Sequence, residues 1–211
     1  MTYPNERQIE YWTSRAIEEY FENEGYNVVA VPNSQRVEHL VPFDHLFVGR
    51  RVKVFGLQYK RLYPNPDHWR LEEWQHRQMQ RYDWIYYALS GVRSVRQHRN
   101  ALHLLQLTRT DFPYRSQLRP DDLGSNPGQI GYARWGGFVQ GLFGCIFGWQ
   151  LQSPKEALAV LGIARDLAEA LIDLYFVALD ARVVIRSSPF IADVGGDEPF
   201  GLSTREQEQF D

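Results

Sequence analysis

Cysteine and lysine are both scarce in this chain of 211 residues. The lone Cys145 excludes an intrachain disulfide and suits a reducing compartment, with the cytoplasm as the expected location. It lies in apolar sequence, as a small buried residue does. The start, Met1-Thr2-Tyr3-Pro4-Asn5-Glu6, lacks the charged and then apolar lead of a secretory signal. Long apolar runs are missing too. The uncharged stretch from Trp135 to Gln152 is interrupted by Gln140 and rich in glycine, and its apolar centre is too short to span a bilayer, so a membrane is not an expected partner. There is no phosphate-cradling glycine loop and no Ser-His-Asp arrangement that sequence could establish. Of the 23 cationic residues only Lys53, Lys60 and Lys155 are lysines. Arginine keeps its proton at any working pH, whereas burial and neighbours readily shift a lysine, so an amine placed near other polar groups is informative.

Lys60 has such a setting. The run Phe43 to Val48 is followed by Gly49-Arg50-Arg51 and then by Val52 to Lys60, which reads as two strands joined in a hairpin. Side chains on a strand alternate, so Gln58 and Lys60 share a face with Gly56 and Val54, while Phe55, Leu57 and Tyr59 share the other. A turn near Arg50 and Arg51 would bring Asp44 opposite Gln58. The Asp44 carboxylate and the Gln58 carbonyl then offer two oxygen ligands for Mg²⁺ or Mn²⁺, an ion that needs few protein groups and keeps several waters. Lys60 would orient or deprotonate a water there, or stabilise charge on a phosphate in transfer.

Pro42-Phe43-Asp44 with Gln58-Tyr59-Lys60 resembles the motif pair of the PD-(D/E)xK nuclease superfamily, in the QxK variant of Mrr-like restriction enzymes. The resemblance implies a restriction-endonuclease-like α/β core, with Asp44 and Gln58 as metal ligands, Lys60 as the catalytic lysine and DNA as substrate. Two departures stand out: one extra residue separates Pro42 from Asp44, and Gln58 replaces the usual second acid. A glutamate on the first helix often completes the site in that family. Glu10 and Glu18, eight residues apart and so on nearly one face with Ser14 between them, are the candidates, although each also fits a solvated helix surface.

The order of elements supports the resemblance. Residues 4 to 24 form an amphipathic helix with Ile9, Trp12, Ala16, Ile17, Tyr20 and Phe21 inward and Gly25 as a stop. A strand over Tyr26 to Val31 and the hairpin follow. A helix from Asp67 or His68 to Tyr82 turns Leu71, Trp74 and Met79 inward; strands cover 84–89 and 102–108. The expected fold class is α/β, a mixed sheet flanked by helices, with a C-terminal helical extension. Residues 1–112 form the nuclease-like core and 113–130, rich in Pro, Asp, Gly, Ser and Arg, a linker. Residues 131–190 form the helical extension and the acidic 191–211 a disordered tail. In the extension, Gly137, Gly141, Gly144 and Gly148 give one helix a bare face for close packing. Ser153-Pro154-Lys155-Glu156 opens a second helix reaching about Leu179. That helix is apolar on several sides, which leads to an expected homodimer or larger complex through residues 135–180.

The net charge of −3 conceals a segregation. Residues 50–110 carry twelve Lys/Arg against four Asp/Glu, a net +8, whereas the segments before and after are acidic. Arg61, Arg70, Arg77 and Arg81 in the basic segment are the candidate nucleic-acid contacts, since phosphate backbones are bound chiefly through such charge. A solvated arginine-rich face is the plainer alternative. His68, Glu72 and His76 at steps of four would share a helix face and could hold zinc, a weaker pattern without a fourth ligand. Three function classes remain: a Mg²⁺- or Mn²⁺-dependent endonuclease; a nuclease-fold subunit without catalysis that binds nucleic acid or serves as a scaffold, for which Gln58 in place of an acid is the main argument; and a helical membrane-associated effector, which rests only on the glycine-spaced stretch.

Overall fold

The computed structural model describes residues 3–31, 46–48, 52–153, 155–156, 159–160, 162–163, 167, 170–179 and 184–186. Chain order begins with α1 (Glu6–Asn23), β1 (Asn27–Val31), β2 (Leu46–Val48), β3 (Val52–Lys60) and β4 (Trp69–Arg70). Next come α2 (Glu73–Met79), β5 (Ile85–Ser90), β6 (Leu105–Thr108), β7 (Gln117–Leu118), β8 (Ala133–Arg134) and α3 (Trp135–Phe143). The strands β9 (Trp149–Leu151), β10 (Asp173–Ala178) and β11 (Val184–Arg186) follow.

The centre is a mixed seven-stranded sheet ordered β1-β10-β3-β5-β6-β8, with β9 also paired to β3. β3 meets β10 on one side, and on the other β9 along Val52–Val54 and then β5 along Gly56–Lys60, so all nine of its residues are buried. Among the described strands of this sheet only the β3–β5 pair is parallel, and its crossover through residues 61–84 contains α2. Helices cover both faces. On one, Ile9, Ile17 and Phe21 of α1 and Trp135, Phe138 and Leu142 of α3 pack on Phe55, Leu57, Tyr86 and Tyr175. On the other, Met79 of α2 and Val160, Leu167 and Ala170 pack on Val54, Ile85, Tyr87 and Leu174. An α/β fold with a mixed sheet is thus what the chain forms, with the strand alternation of Val54, Gly56, Gln58 and Lys60 as expected.

α1 forms because its apolar residues recur every fourth position and its start is capped at both ends of a capping box. Asn5 Oδ1 accepts the Gln8 N–H at 2.9 Å, and Gln8 Oε1 accepts the Asn5 N–H at 3.0 Å. Gly25, at φ +81°, ends it.

Several expectations are corrected. The hairpin between 43–48 and 52–60 is not the pairing formed: β2 pairs with β11 in a separate two-stranded ladder, and residues 43–45 lie outside the described residues. A strand buried on both faces is best flanked by other apolar strands, and β10 and β5 supply them. The second C-terminal helix does not reach Leu179. Described residues from Lys155 to Ile163 are helical, but Leu171 takes a left-handed φ of +55° and Asp173–Ala178 is a strand threaded between β1 and β3. A short run apolar at nearly every position does not distinguish a buried strand from a buried helix by periodicity. The division into a 1–112 core and a 131–190 helical extension falls with it, because β8, β9 and β10 belong to the same sheet as β3. Of the apolar residues that suggested a dimer, Val160, Leu167 and Leu174 are buried in the core of the one chain.

The second helix is also shorter than expected. Trp69 and Arg70 pair with β7, α2 covers only Glu73–Met79, and Trp74 is exposed while Leu71 and Met79 are buried. The glycine-spaced stretch breaks after α3, where a left-handed Gly148 leads into β9. No helix among the described residues is long and apolar enough to cross a membrane. Residues 191–211 lie outside the described residues.

Candidate functional site

The polar end of β3 arises where a buried strand runs out of apolar partners. Gly56 sits tightly there: a Cβ would lie 3.0 Å from Ile172 Cγ2 and 3.1 Å from Ile85 Cγ1 and Leu174 Cδ2. Beyond it, Gln58 and Lys60 project from the α2 side of the sheet and are 3% and 5% exposed. Both amides are fixed by one turn. Gln58 Nε2 donates to the Leu171 carbonyl at 3.4 Å, and Gln75 Nε2, from α2, donates to the Ala170 carbonyl at 3.3 Å. With its nitrogen so placed, Gln75 turns Oε1 to Lys60 and accepts the ammonium at 2.8 Å. Gln58 Oε1 is buried with no hydrogen-bond partner among the described residues. An acceptor left so costs about 1–3 kcal/mol, and an amide oxygen in this state is suited to a hard cation.

Among the described residues the acid in an ion pair here is Glu6, whose Oε1 is 3.9 Å from Lys60 Nζ, too long for a hydrogen bond. Burial pushes the Glu6 carboxyl up, against the charges of Lys60 and Arg61, while Glu72 adds to the rise. Burial likewise pushes the Lys60 ammonium down, against Glu6 and Glu72. Each charge favours the other, yet desolvation is the larger effect on both, so both groups are closer to neutrality than exposed ones. An amine that loses its proton more readily is competent as a general base.

Of the expected site residues, the structure brings Gln58 and Lys60 together on one face. Asp44 lies outside the described residues. Neither Glu10 nor Glu18 forms an ion pair with Lys60 among the described residues. α1 crosses the sheet with Ser14 over Tyr59 and Tyr175, so its first turn lies nearest the end of β3. Glu10 is raised by burial and feels Arg7 and Glu6 rather than Lys60, and Glu18, also raised by burial, is surrounded by Glu22, Arg15 and Glu19. Sequence reasoning missed Glu6 and Gln75. The one available signal was Glu6 in the first turn beside its Asn5 cap.

The four arginines separate as well. Arg61 directly follows Lys60, and Arg70 stands across a short hairpin from it. Arg77 is paired with Glu73 on the exposed side of α2, and Arg81 is exposed beyond that helix. The zinc pattern dissolves: His68 precedes α2 in extended chain, and His76 Nε2 lies 2.9 Å from the Phe112 carbonyl in the core. No cluster of three or more His, Cys, Asp or Glu able to hold a metal occurs among the described residues.

On the opposite face of β3 lies a sealed hydroxyl group of three. Tyr175 Oη is 2.6 Å from both Ser14 Oγ and Tyr59 Oη, and Ser14 Oγ is 3.3 Å from Tyr59 Oη. Burial raises both phenols, with the nearby Asp173 carboxylate adding to the effect, so they stay protonated and join α1 to the sheet. Comparisons with protein-family models, with curated proteins and with solved structures each gave no match.

Proposed function

We propose that this protein is a Mg²⁺- or Mn²⁺-dependent endonuclease with a restriction-endonuclease-like core, hydrolysing phosphodiester bonds in DNA. The observation that carries the reading is the buried, unpartnered Gln58 Oε1 on the same strand face as Lys60, whose ammonium is held by Gln75 with Glu6 beside it. The donors suit a hard cation: an amide oxygen and a carboxylate, with Asp44 as the acid the motif adds. Gln58 and Glu6 would hold the ion, which when bound supplies Lewis-acid stabilisation of phosphoryl charge and a more acidic water. Lys60 Nζ, as the neutral amine that burial favours, takes the proton of the attacking water as the new O–P bond forms. The bond to the leaving oxygen breaks and that oxygen takes a proton from solvent. Gln75 keeps the lysine aimed, and the Ala170–Leu171 turn keeps Gln75 and Gln58 from rotating.

Two observations favour the non-catalytic scaffold reading: Lys60 already has an acceptor in Gln75, and the second acid of the motif is an amide. Mn²⁺-dependent nicking of supercoiled plasmid decides between the two. The nuclease reading expects nicking by the unaltered chain and its loss in Lys60→Ala with the circular dichroism unchanged. Nicking that persists in Lys60→Ala removes the site assignment.

A further inference from the structure

After Lys60 the chain makes a short, tightly held hairpin. Tyr63 and His68 exchange backbone hydrogen bonds at 2.8 and 3.0 Å, closing the turn through residues 64–67. Leu62 and Trp69 face the core, and the indole Nε1 donates to the Ser90 carbonyl at 2.9 Å, so the arms are fixed to β5. Asp67 at the tip is ion-paired with Arg93. On the outer side Arg61, Tyr63 and Arg70 are partly or fully exposed, and the His68 ring stacks on Tyr63 at 5.5 Å between centroids. Arg61 Cζ lies 4.0 Å and Arg70 Cζ 4.4 Å from the centroid of the same Tyr63 ring.

Two guanidiniums gathered on one ring repel each other, and among the described residues neither lies within ion-pair distance of a carboxylate, although Glu6 is near enough for its charge to act on Arg61. Arg15, Arg77, Arg93 and Arg115 each have an acidic partner, in Glu19, Glu73, Asp67 and Asp122. Among the described residues Arg61 and Arg70 form no ion pair. A tyrosine face orients a guanidinium without neutralising it, leaving the planar fork free for a phosphate. Arg61 is also close enough for its charge to bear on Glu6, which places the pair beside the end of β3.

We propose that Arg61, Tyr63 and Arg70 form a phosphate anchor that grips the polynucleotide backbone next to the bond presented to Lys60. This inference rests on the phosphodiesterase reading for what is cut, but the anchor itself is a binding site and is tested by binding. The probe is a fluorescent oligonucleotide, as single strand, DNA duplex and RNA in separate arms, titrated from low to high salt without divalent metal. Each phosphate contact contributes about 0.7 to 0.9 to the slope of log affinity against log salt. Arg61→Gln and Arg70→Gln should each lower the slope by about that amount, and the double variant by about twice it. Tyr63→Leu should weaken binding and Tyr63→Phe, which keeps the ring, should not.

Equal loss of slope in Arg77→Gln would mean diffuse attraction and overturns the anchor, as does an unchanged slope in the Arg61 and Arg70 double variant. The arm with the steepest slope identifies the polynucleotide. Mn²⁺-dependent hydrolysis of bis(p-nitrophenyl) phosphate by the unaltered chain reads the reaction separately. Its absence alongside an Arg61- and Arg70-dependent slope removes the nuclease reading and leaves the anchor standing.

Discussion

Gln58 and Gln75 come from a strand and a helix, yet donate their amide nitrogens to consecutive carbonyls, those of Leu171 and Ala170. This shared turn decides which way both oxygens face. One oxygen meets Lys60 and the other remains open, so the functional asymmetry of the pair is set by backbone far away in sequence. Gln75→Leu removes the acceptor that favours the charged lysine, and Lys60 should lose its proton at a lower pH. The alkaline-rising limb of the nicking rate should therefore move to lower pH. A limb displaced upward or unmoved would separate Lys60 from the base role.

The first-helix acid is the next test. Removal of a general base costs about 10²- to 10⁴-fold, and loss of a carboxylate that would hold the ion is expected to cost as much. Lys60→Ala and Glu6→Gln should each fall in that range, and Asp44→Ala should do so from its place in the motif. Glu18→Gln should retain full nicking activity because its charged neighbours are other α1 residues. Equal losses in the Glu6 and Glu18 variants would show that the helix docks otherwise.

Metal affinity should depend on pH through Glu6. Its carboxyl is raised by burial, so protonation competes with the ion at a higher pH than for an exposed glutamate. Mn²⁺ binding followed by electron paramagnetic resonance should weaken as pH falls from 7.5 towards 5. Glu6→Gln should show weaker binding with a flatter pH dependence. A binding curve of the same steepness in that variant assigns the titration to another group.

Much of this arrangement was legible in the sequence, and the failures share a cause. α1, β1 and β5 carry local signals: fourfold apolar spacing with a cap, or an uninterrupted β-rich run. Gln58 and Lys60 fall on one face by alternation alone. β10 could not be assigned, because Asp173–Ala178 follows helix-forming sequence and is a strand only through its partners Val28 and Phe55, far away in the chain. Choosing Glu6 over Glu10 and Glu18 required knowing where α1 lies along β3, and contacts such as Ser14 with Tyr175 fix that. Gln75 stands four residues after Leu71 and four before Met79, so its inward face was readable, but its partners, Lys60 and the Ala170 carbonyl, are distant in the chain.

The hydroxyl group of three makes stability fall in alkali. The phenols of Tyr59 and Tyr175 are raised in the folded chain, so their contribution is present below the ordinary value near 10 and is lost as pH rises above it. Urea denaturation should show a steeper loss of stability between pH 9.5 and 11 in the unaltered chain than in Tyr175→Phe. At pH 7 that variant should lose about 1 kcal/mol, since Ser14 and Tyr59 can still bond each other. Parallel pH curves for the two would mean that the phenols ionise only after unfolding.

Gly141 tests whether the glycine-spaced stretch serves assembly or the fold of one chain. A Cβ there would lie 2.3 Å from Cδ2 of Phe147, a ring stacked on Phe138 at 5.3 Å between centroids and edge-on to Tyr86. The close approach is thus between α3 and the turn that follows it, within one chain. Gly141→Ala should destabilise the protein by about 1–3 kcal/mol, the usual effect of overpacking, with no change in molar mass by light scattering. Pairing it with Phe147→Leu, a side chain that can yield, should recover part of the loss, because the two positions are in contact and do not add independently. A drop in molar mass with the thermal midpoint unchanged would instead return residues 135–143 to an interface between subunits.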